Sequence, residues 1–153
     1  MYYAHMSSKI RQLHGTLIDL IAFMNQPQRD VALLQEAGVN LDRALFPLLV
    51  GIDRFGPIGV VELAEKAGRD YTTVSRQVSK LASLKLITRH ASVTDKRSQQ
   101  AVITSKGKVM IDALDSARER LASSVLAKWN EKDLQDLVRL MRRFADDLKG
   151  WKS

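Results

Sequence analysis

A glycine between two short amphipathic segments constrains the fold of this chain more than any other feature. Residues 60–67 are predicted to form a short helix, and Gly68 follows where the chain must turn sharply. Asp70 is positioned to cap a second helix, predicted over residues 71–84. The side chains of the first helix expected to face inward are Val61, Leu63 and Ala64. This order of elements predicts a helix–turn–helix.

The second predicted helix has an apolar side and a polar side when its residues are placed on a helical wheel. Its apolar side contains Val74, Val78 and Leu81, with Tyr71 flanking them. A helix that enters the DNA major groove needs this division, because Arg can donate to guanine while Thr contacts phosphate or a thymine methyl group. An amphipathic surface helix with no role in DNA binding would show the same division. The elements around this helix must therefore distinguish the two interpretations. The candidate DNA contacts are Thr72, Thr73, Ser75, Arg76 and Lys80.

A basic hairpin is predicted after this helix. Strand-like segments at 86–87 and 101–103 enclose a polar loop over residues 90–100, too long for a tight turn and therefore expected to project. The loop carries Lys96 and Arg97, and an Arg at the tip of such an arm can enter a narrow minor groove. Asp95 is predicted to fix the direction of these cations by charge-assisted hydrogen bonds. The alternative is a solvated charged loop.

The excess positive charge of the chain lies in the same region. Residues 54–108 contain eleven Lys/Arg and four Asp/Glu, a net of +7, which equals the formal net charge of the whole chain. The positive and negative charges of the remaining residues cancel. This concentration indicates a polyanionic partner, with double-stranded DNA the first candidate. It argues against a winged-helix module that binds only proteins.

Helices are predicted on both sides of the basic region. They cover residues 8–24 with Ser7 or Ser8 as N-cap, 41–53 after Asn40, 104–128 after Thr104 and 131–151 after Asn130. The first and last carry strong apolar stripes at the two ends of the chain. One monomer offers no obvious partner for both stripes, so pairing across a two-fold axis to form a homodimer is expected. Packing within the monomer is the alternative.

The predicted fold class is therefore mainly α with a small β-hairpin wing, a winged helix–turn–helix flanked by N- and C-terminal dimerisation helices. We expect a single domain over residues 1–153. Residues 7–40 and 104–153 would form the dimerisation helices, and residues 41–103 the DNA-binding lobe.

Several classes of site have no support in the sequence. Cysteine is absent, which excludes disulfides, thiolate metal sites and thiol-based sensing. His5, His14 and His90 lie far apart, and no catalytic constellation or phosphate-binding loop is present, so we expect no metal, cofactor or enzymatic activity. The apolar runs are too short to span a membrane, and the N-terminal residues do not form a secretory signal. A cytoplasmic location is expected.

The chain resembles the multiple-antibiotic-resistance regulator (MarR) family of winged helix–turn–helix transcription factors. The matching residues are LAEKAGRDYTTVSRQVSKL at 63–81, DKRS at 95–98 and AVITSKG at 101–107. The spacing of the D-x-R-S turn before the hydrophobic-Thr-x-x-Gly element is more specific to this family than the helix–turn–helix. Lys85 is a departure, since the family usually has Gly at the position before Leu86.

The resemblance implies a homodimer with intertwined terminal helices, a recognition helix over 71–84 and a wing over 90–100. Arg97 would lie at the wing tip, with Asp95 orienting it. The resemblance also implies that the protein represses nearby genes, and that a small, often aromatic ligand bound between the two lobes relieves this repression. Candidate ligand-lining residues are His14, Arg43 and Phe46. The sequence leaves open a DNA-binding regulator without a small-molecule effector.

Overall fold

The computed structural model describes residues 2–151 of the chain, with side-chain burial from residue 4 onward. Within this range the chain forms seven helices and a small antiparallel sheet. In chain order they are α1 (Tyr2–Met24), α2 (Pro27–Ala37), α3 (Phe46–Phe55), β1 (Ile58–Gly59), α4 (Val60–Ala67), α5 (Tyr71–Ser83), β2 (Ile87–Ala91), β3 (Gln99–Ile103), α6 (Ser105–Val125) and α7 (Glu131–Gly150). The predicted fold class, mainly α with a small β wing, is confirmed. The chain divides into two compact units, one up to Arg118 and one from Glu119 onward.

The core of the first unit lies where α3, α4 and α5 pack beside the sheet. Its fully buried side chains are aliphatic. The removal of their apolar surface from water is the main favourable contribution that holds these elements together. They include Leu48, Leu49, Ile58, Val74, Val78, Leu81 and Leu114. The strand order is β1-β3-β2, with Ile58 and Arg89 both opposite Ala101 of the central strand.

The helix–turn–helix follows the predicted pattern closely. α4 has its predicted bounds, and Gly68 ends it in the left-handed region at a φ of 64°. The carboxylate of Asp70 accepts a hydrogen bond from the Thr73 backbone N–H at 2.9 Å and so caps α5. Leu63 and Ala64 are buried as predicted, but Val61 was wrongly expected to face inward, because it is 61% exposed.

The start of α1 was predicted wrongly. The helix begins at Tyr2, so Ser7 and Ser8 lie inside it instead of capping it, and the Ser8 hydroxyl accepts a hydrogen bond from Gln12. The helix ends at Met24 as predicted, and α2 follows after only two residues because Pro27 occupies its first position.

The helix predicted over 41–53 begins later, at Phe46. Asp42 forms a turn in place of the first helical turn: its carboxylate accepts from the Ala44 N–H at 2.7 Å and its carbonyl from the Leu45 N–H at 2.9 Å. Pro47 also disfavours a helix that starts at residue 41, because its ring would clash with the preceding turn. Asn40 therefore does not cap α3.

The remaining boundaries differ from the prediction by a few residues. α6 ends at Val125 instead of residue 128, and α7 ends at Gly150. Asn130 caps α7 as predicted, since its side chain accepts from the Asp133 N–H at 2.8 Å. The strands of the hairpin are longer than predicted, so the loop at its tip shortens to residues 92–98.

Two helices expose apolar side chains along most of their length. No residue of α7 is buried, although the helix is strongly amphipathic, and Val138 and Leu148 are more than half exposed. α1 likewise exposes Ile10 and Ile21. No helix in residues 2–151 is both long and apolar enough to cross a membrane.

Candidate nucleic-acid interface

The polar face of α5 is available to a partner. Val74, Val78 and Leu81 are at most 1% exposed and anchor the helix to the core. On the other side, Thr72, Arg76 and Lys80 are exposed, and Thr73 and Ser75 are partly exposed. This arrangement holds the backbone rigidly while presenting hydroxyl groups and cations outward, which is what base and phosphate contacts require.

The N-terminus of α5 is fixed by Asp70. The Thr73 hydroxyl donates to the second carboxylate oxygen at 2.7 Å, beside the bond from the Thr73 N–H. These two hydrogen bonds, the side-chain one first, hold the pKa of Asp70 below its usual value. Because the hydroxyl hydrogen of Thr73 is already donated to the cap, this hydroxyl can only accept a hydrogen bond from a DNA partner.

Asp95 acts on the wing backbone and not on the cationic side chains. Its carboxylate accepts from the Arg97 backbone N–H at 3.0 Å and from the Ser98 hydroxyl at 3.2 Å. We expected charge-assisted bonds to the cations themselves, but the structure describes none between Asp95 and a guanidinium or ammonium group. The turn thus fixes the backbone at Arg97, while the side chains of Lys96 and Arg97 extend into solvent.

Arg89 of β2 connects the wing to α5, a contact that the sequence did not reveal. Its Nη2 donates to the Ser79 hydroxyl at 2.6 Å, and that hydroxyl donates in turn to the Ser75 carbonyl at 3.0 Å. No local pattern could have identified the pair, because the distance between a helix and a strand depends on how both pack on the core. The bond links the wing strand directly to the helix that presents Arg76 and Lys80.

A groove of about 400 Å³ lies between α5, the wing and the start of α4. Arg89 and Arg97 line it together with Tyr71 and Ser75. The cations and hydroxyl groups suit a phosphate backbone, so a strand passing between the helix and the wing would meet favourable charge.

A second cavity of about 590 Å³ lies within the first unit, lined by residues of α2, α3 and their neighbours. It includes two of the three predicted ligand-lining residues, Arg43 and Phe46. His14, the third, lies exposed on α1 and does not line it. Three further arginines border the cavity: Arg29, Arg69 and Arg118. Its mixed apolar and cationic lining suits a small organic molecule.

The described residues contain no group of His, Asp or Glu side chains placed to hold a metal ion. The site consists of cations, hydroxyl groups and a shaped surface, a set suited to binding a polyanion.

Known proteins share both the sequence and the fold. The model of the MarR family matches residues 41–99. An uncharacterised HTH-type transcriptional regulator, YxaD of Bacillus subtilis, is 34% identical over 104 residues, covering 68% of this chain and 73% of the relative. A MarR family protein from Bacillus stearothermophilus superposes with a TM-score of 0.72 at 20% identity, covering 94% of this chain and 97% of that one. A MarR transcriptional regulator from Methanosarcina mazei Go1 superposes with a TM-score of 0.66 at 19% identity, covering 92% of this chain and 99% of that one. The chain therefore belongs to the MarR family of winged helix–turn–helix DNA-binding transcription regulators, which are not enzymes.

Proposed function

We propose that this protein is a cytoplasmic, homodimeric repressor that binds a pseudo-palindromic operator and is released from it by a small organic ligand. The observation that carries the proposal is the pairing of two basic elements on one side of the first unit. α5 presents Arg76 and Lys80, and the wing beside it presents Lys96 and Arg97. α5 would enter the major groove and the wing the adjacent minor groove.

Salt-dependent binding to the DNA upstream of the gene for this chain, with footprinting, tests the central claim. Because cationic contacts release counterions from DNA, log affinity should fall steeply and linearly with log salt concentration. Protection of two half-sites about one helical turn apart would support binding by a two-fold dimer. A slope near zero would overturn the proposal.

Dimerisation is supported by the apolar faces of α1 and α7. Exposed apolar side chains in such number are costly in water, and a second copy of the chain offers a matching surface under two-fold symmetry. Sedimentation equilibrium should give twice the chain mass of 17.2 kDa. A monomer at micromolar concentration would contradict the assignment.

Repression and ligand release rest on the resemblance and on the cavity beside α3. A ligand there would contact Arg43 and Phe46. A reporter gene behind the footprinted operator should be expressed more strongly when the protein is absent. Screening aromatic acids for thermal stabilisation and operator release tests the ligand response, and release by peroxide instead would contradict it, since the chain has no Cys.

A further inference from the structure

The groove between α5, the wing and the start of α4, which we call the wing groove, combines two kinds of surface. The wing contributes Arg89 and Arg97, and none of the described residues that line the groove is acidic. The two helices contribute Val61 and Tyr71, whose side chains are exposed. The arginines explain why the groove would attract an anion, but they give no role to its apolar surface.

Val61 stays exposed because of the way in which α4 packs. It is the second residue of this helix, and Leu63 and Ala64 of the same helix are buried in the core. Turning α4 to cover Val61 would expose these two side chains and lose the free energy gained by burying them. The fold therefore keeps a valine in the lining of the wing groove.

Tyr71 places an aromatic ring and a hydroxyl group in the same groove. It is the first residue of α5 and is 56% exposed. It directly follows Asp70, whose carboxylate accepts from the Thr73 N–H at 2.9 Å, so the backbone that carries the ring is held in place. The Tyr71 hydroxyl has no hydrogen-bond partner among the described residues. An apolar ring that ends in an unused donor suits a partner with both apolar and anionic groups.

A strand of double-stranded DNA presents these groups in alternation along its backbone. Its phosphates are anionic, and the deoxyribose between two phosphates exposes carbon-bound hydrogens. Arg89, which donates to the Ser79 hydroxyl of α5 at 2.6 Å, and Arg97 would lie beside phosphates. An acidic protein segment would match the charge of the groove, but it lacks this regular alternation of anionic and apolar groups.

We propose that Val61 and Tyr71 form the non-ionic part of the DNA interface. The valine and the tyrosine ring pack against deoxyribose, and the Tyr71 hydroxyl donates to a phosphate of the strand that Arg97 also contacts. This inference rests on the proposed function and adds two contacts to it. Because the contacts are to the backbone, they contribute affinity and register and no base preference. Because neither side chain is charged, they release no counterions from DNA.

Two substitutions remove the proposed contacts without changing the charge of the protein. Val61→Ser removes the apolar surface and should weaken operator binding by about five- to tenfold. Tyr71→Phe keeps the ring but removes the hydroxyl, and should weaken binding by about three- to tenfold. Fluorescence anisotropy measures both on the footprinted operator and on single-base variants of it. Each loss should be equal across these operators, and the slope of log affinity against log salt concentration should keep its wild-type value.

Two further variants serve as controls. Val109→Ser is matched to Val61→Ser, because Val109 is also an exposed valine of a helix, α6, and does not line the wing groove. It should bind the operator as the wild type does. Arg97→Ala represents an ionic contact and should lower the salt slope by about 0.9 per lost phosphate contact. Circular-dichroism melts check that each variant is folded.

A scan of the operator phosphates locates the contact of the Tyr71 hydroxyl. Single phosphates are replaced by neutral methylphosphonates, and each modified operator is titrated with the wild type, Tyr71→Phe and Arg97→Ala. One replacement should weaken binding of the wild type about threefold more than binding of Tyr71→Phe, which has already lost the donor. The phosphate identified in the same way for Arg97 should lie on the same strand.

The outcomes separate this inference from the proposed function. Wild-type affinity in Val61→Ser or Tyr71→Phe would overturn the contact assigned to that residue, as would an equal loss in Val109→Ser. A loss confined to one base position would mean that the side chain reads bases, and a smaller salt slope that it acts through the arginines; either result overturns the proposal while DNA binding stands. If the wild type shows no salt-dependent binding to DNA, the proposed function fails and this inference fails with it.

Discussion

The hydroxyl of Thr104 donates a 2.7 Å hydrogen bond to the backbone carbonyl of Lys85, across the junction between α5 and α6. The same hydroxyl accepts from the Gly107 N–H at 3.1 Å, so it also caps α6. Lys106 Nζ donates to the Leu84 carbonyl at 3.0 Å. Carbonyls at the C-terminus of a helix have no partner within it, and here the first turn of α6 supplies partners. The end of the recognition helix is thereby fixed to the helix that follows the wing.

Replacing Thr104 tests this junction. Thr104→Val keeps the shape but removes both hydrogen bonds, which should lower the free energy of unfolding by about 1–2 kcal/mol. Thr104→Ser retains the hydroxyl and should lose much less. Urea denaturation measures both, and equal losses for the two variants would contradict a role for the hydroxyl.

Lys85 adopts a left-handed conformation that suits glycine. Its φ is 62°, its N–H donates to the Ala82 carbonyl, and the Leu86 N–H donates to the Leu81 carbonyl, which together close the end of α5. A side chain in this region is strained by about 1 kcal/mol. Lys85→Gly should therefore raise the free energy of unfolding by up to about 1 kcal/mol, part of the gain being offset by the flexibility of glycine in the unfolded chain. Lys85→Ala keeps the strain, and a similar gain in that variant would show that charge is responsible.

The contrast between local and distant contacts explains how far the sequence could predict this structure. Gly68, Asp70 and Asn130 act on residues within a turn of themselves, so the helix ends that they determine were predicted correctly. The start of α3 was missed because Asn40 and Asp42 are both good helix-start residues, and only the competition between a turn and a cap decides between them. The left-handed Lys85 departs from the glycine pattern, and its carbonyl accepts a hydrogen bond from Thr104, a distant contact that no local pattern encodes.

The candidate site shows the same contrast between features set by local sequence and features set by distant contacts. The exposed face of α5 follows from helical spacing alone, and the basic wing from composition. The hydrogen bonds of Arg69 to Gln77 and of Arg89 to Ser79 join residues whose distance depends on tertiary packing, which a one-dimensional pattern does not encode.

The bond between Arg89 and Ser79 predicts a defect in DNA binding without a defect in folding. Ser79→Ala removes the acceptor that holds the wing strand near α5, so operator affinity should fall by about three- to tenfold, the equivalent of one hydrogen bond. Ser83→Ala is the matched control, because its hydroxyl also donates to a helix carbonyl, that of Lys80, and makes no hydrogen bond to the wing among the described residues. Equal operator affinity for the two variants, measured by anisotropy, would show that the bond does not matter for DNA binding.

The two basic elements should contribute differently to specificity. Arg97→Ala removes a wing cation and should weaken binding to most sequences, with a salt slope smaller by about 0.9 per lost phosphate contact. Arg76→Ala should also relax the preference at one base position, by about 1–3 kcal/mol. A panel of operators with single base changes, measured at several salt concentrations, separates the two effects. Loss of preference at one position in Arg97→Ala alone would reverse the assignment.

The cap of α5 makes its stability depend on pH. Hydrogen bonds from Thr73 lower the pKa of Asp70 from its usual 3.8, so the folded protein binds the proton less readily than the unfolded chain. The resulting stabilisation is complete above the unfolded value of 3.8 and is lost as the pH falls through the lowered pKa. Asp70→Asn keeps an acceptor for the Thr73 N–H but has no charge, so the wild type should be the more stable at neutral pH.

This difference between wild type and Asp70→Asn should shrink steadily as the pH falls below about 4. Urea denaturation of both proteins across this range measures it, and Asp147→Asn, which alters an exposed carboxylate near the C-terminus of α7, controls for general effects of removing one negative charge. A gap between wild type and Asp70→Asn that stays constant down to the acid limit of folding would mean that the charge of Asp70 contributes nothing and that the cap acts through its oxygen atoms alone.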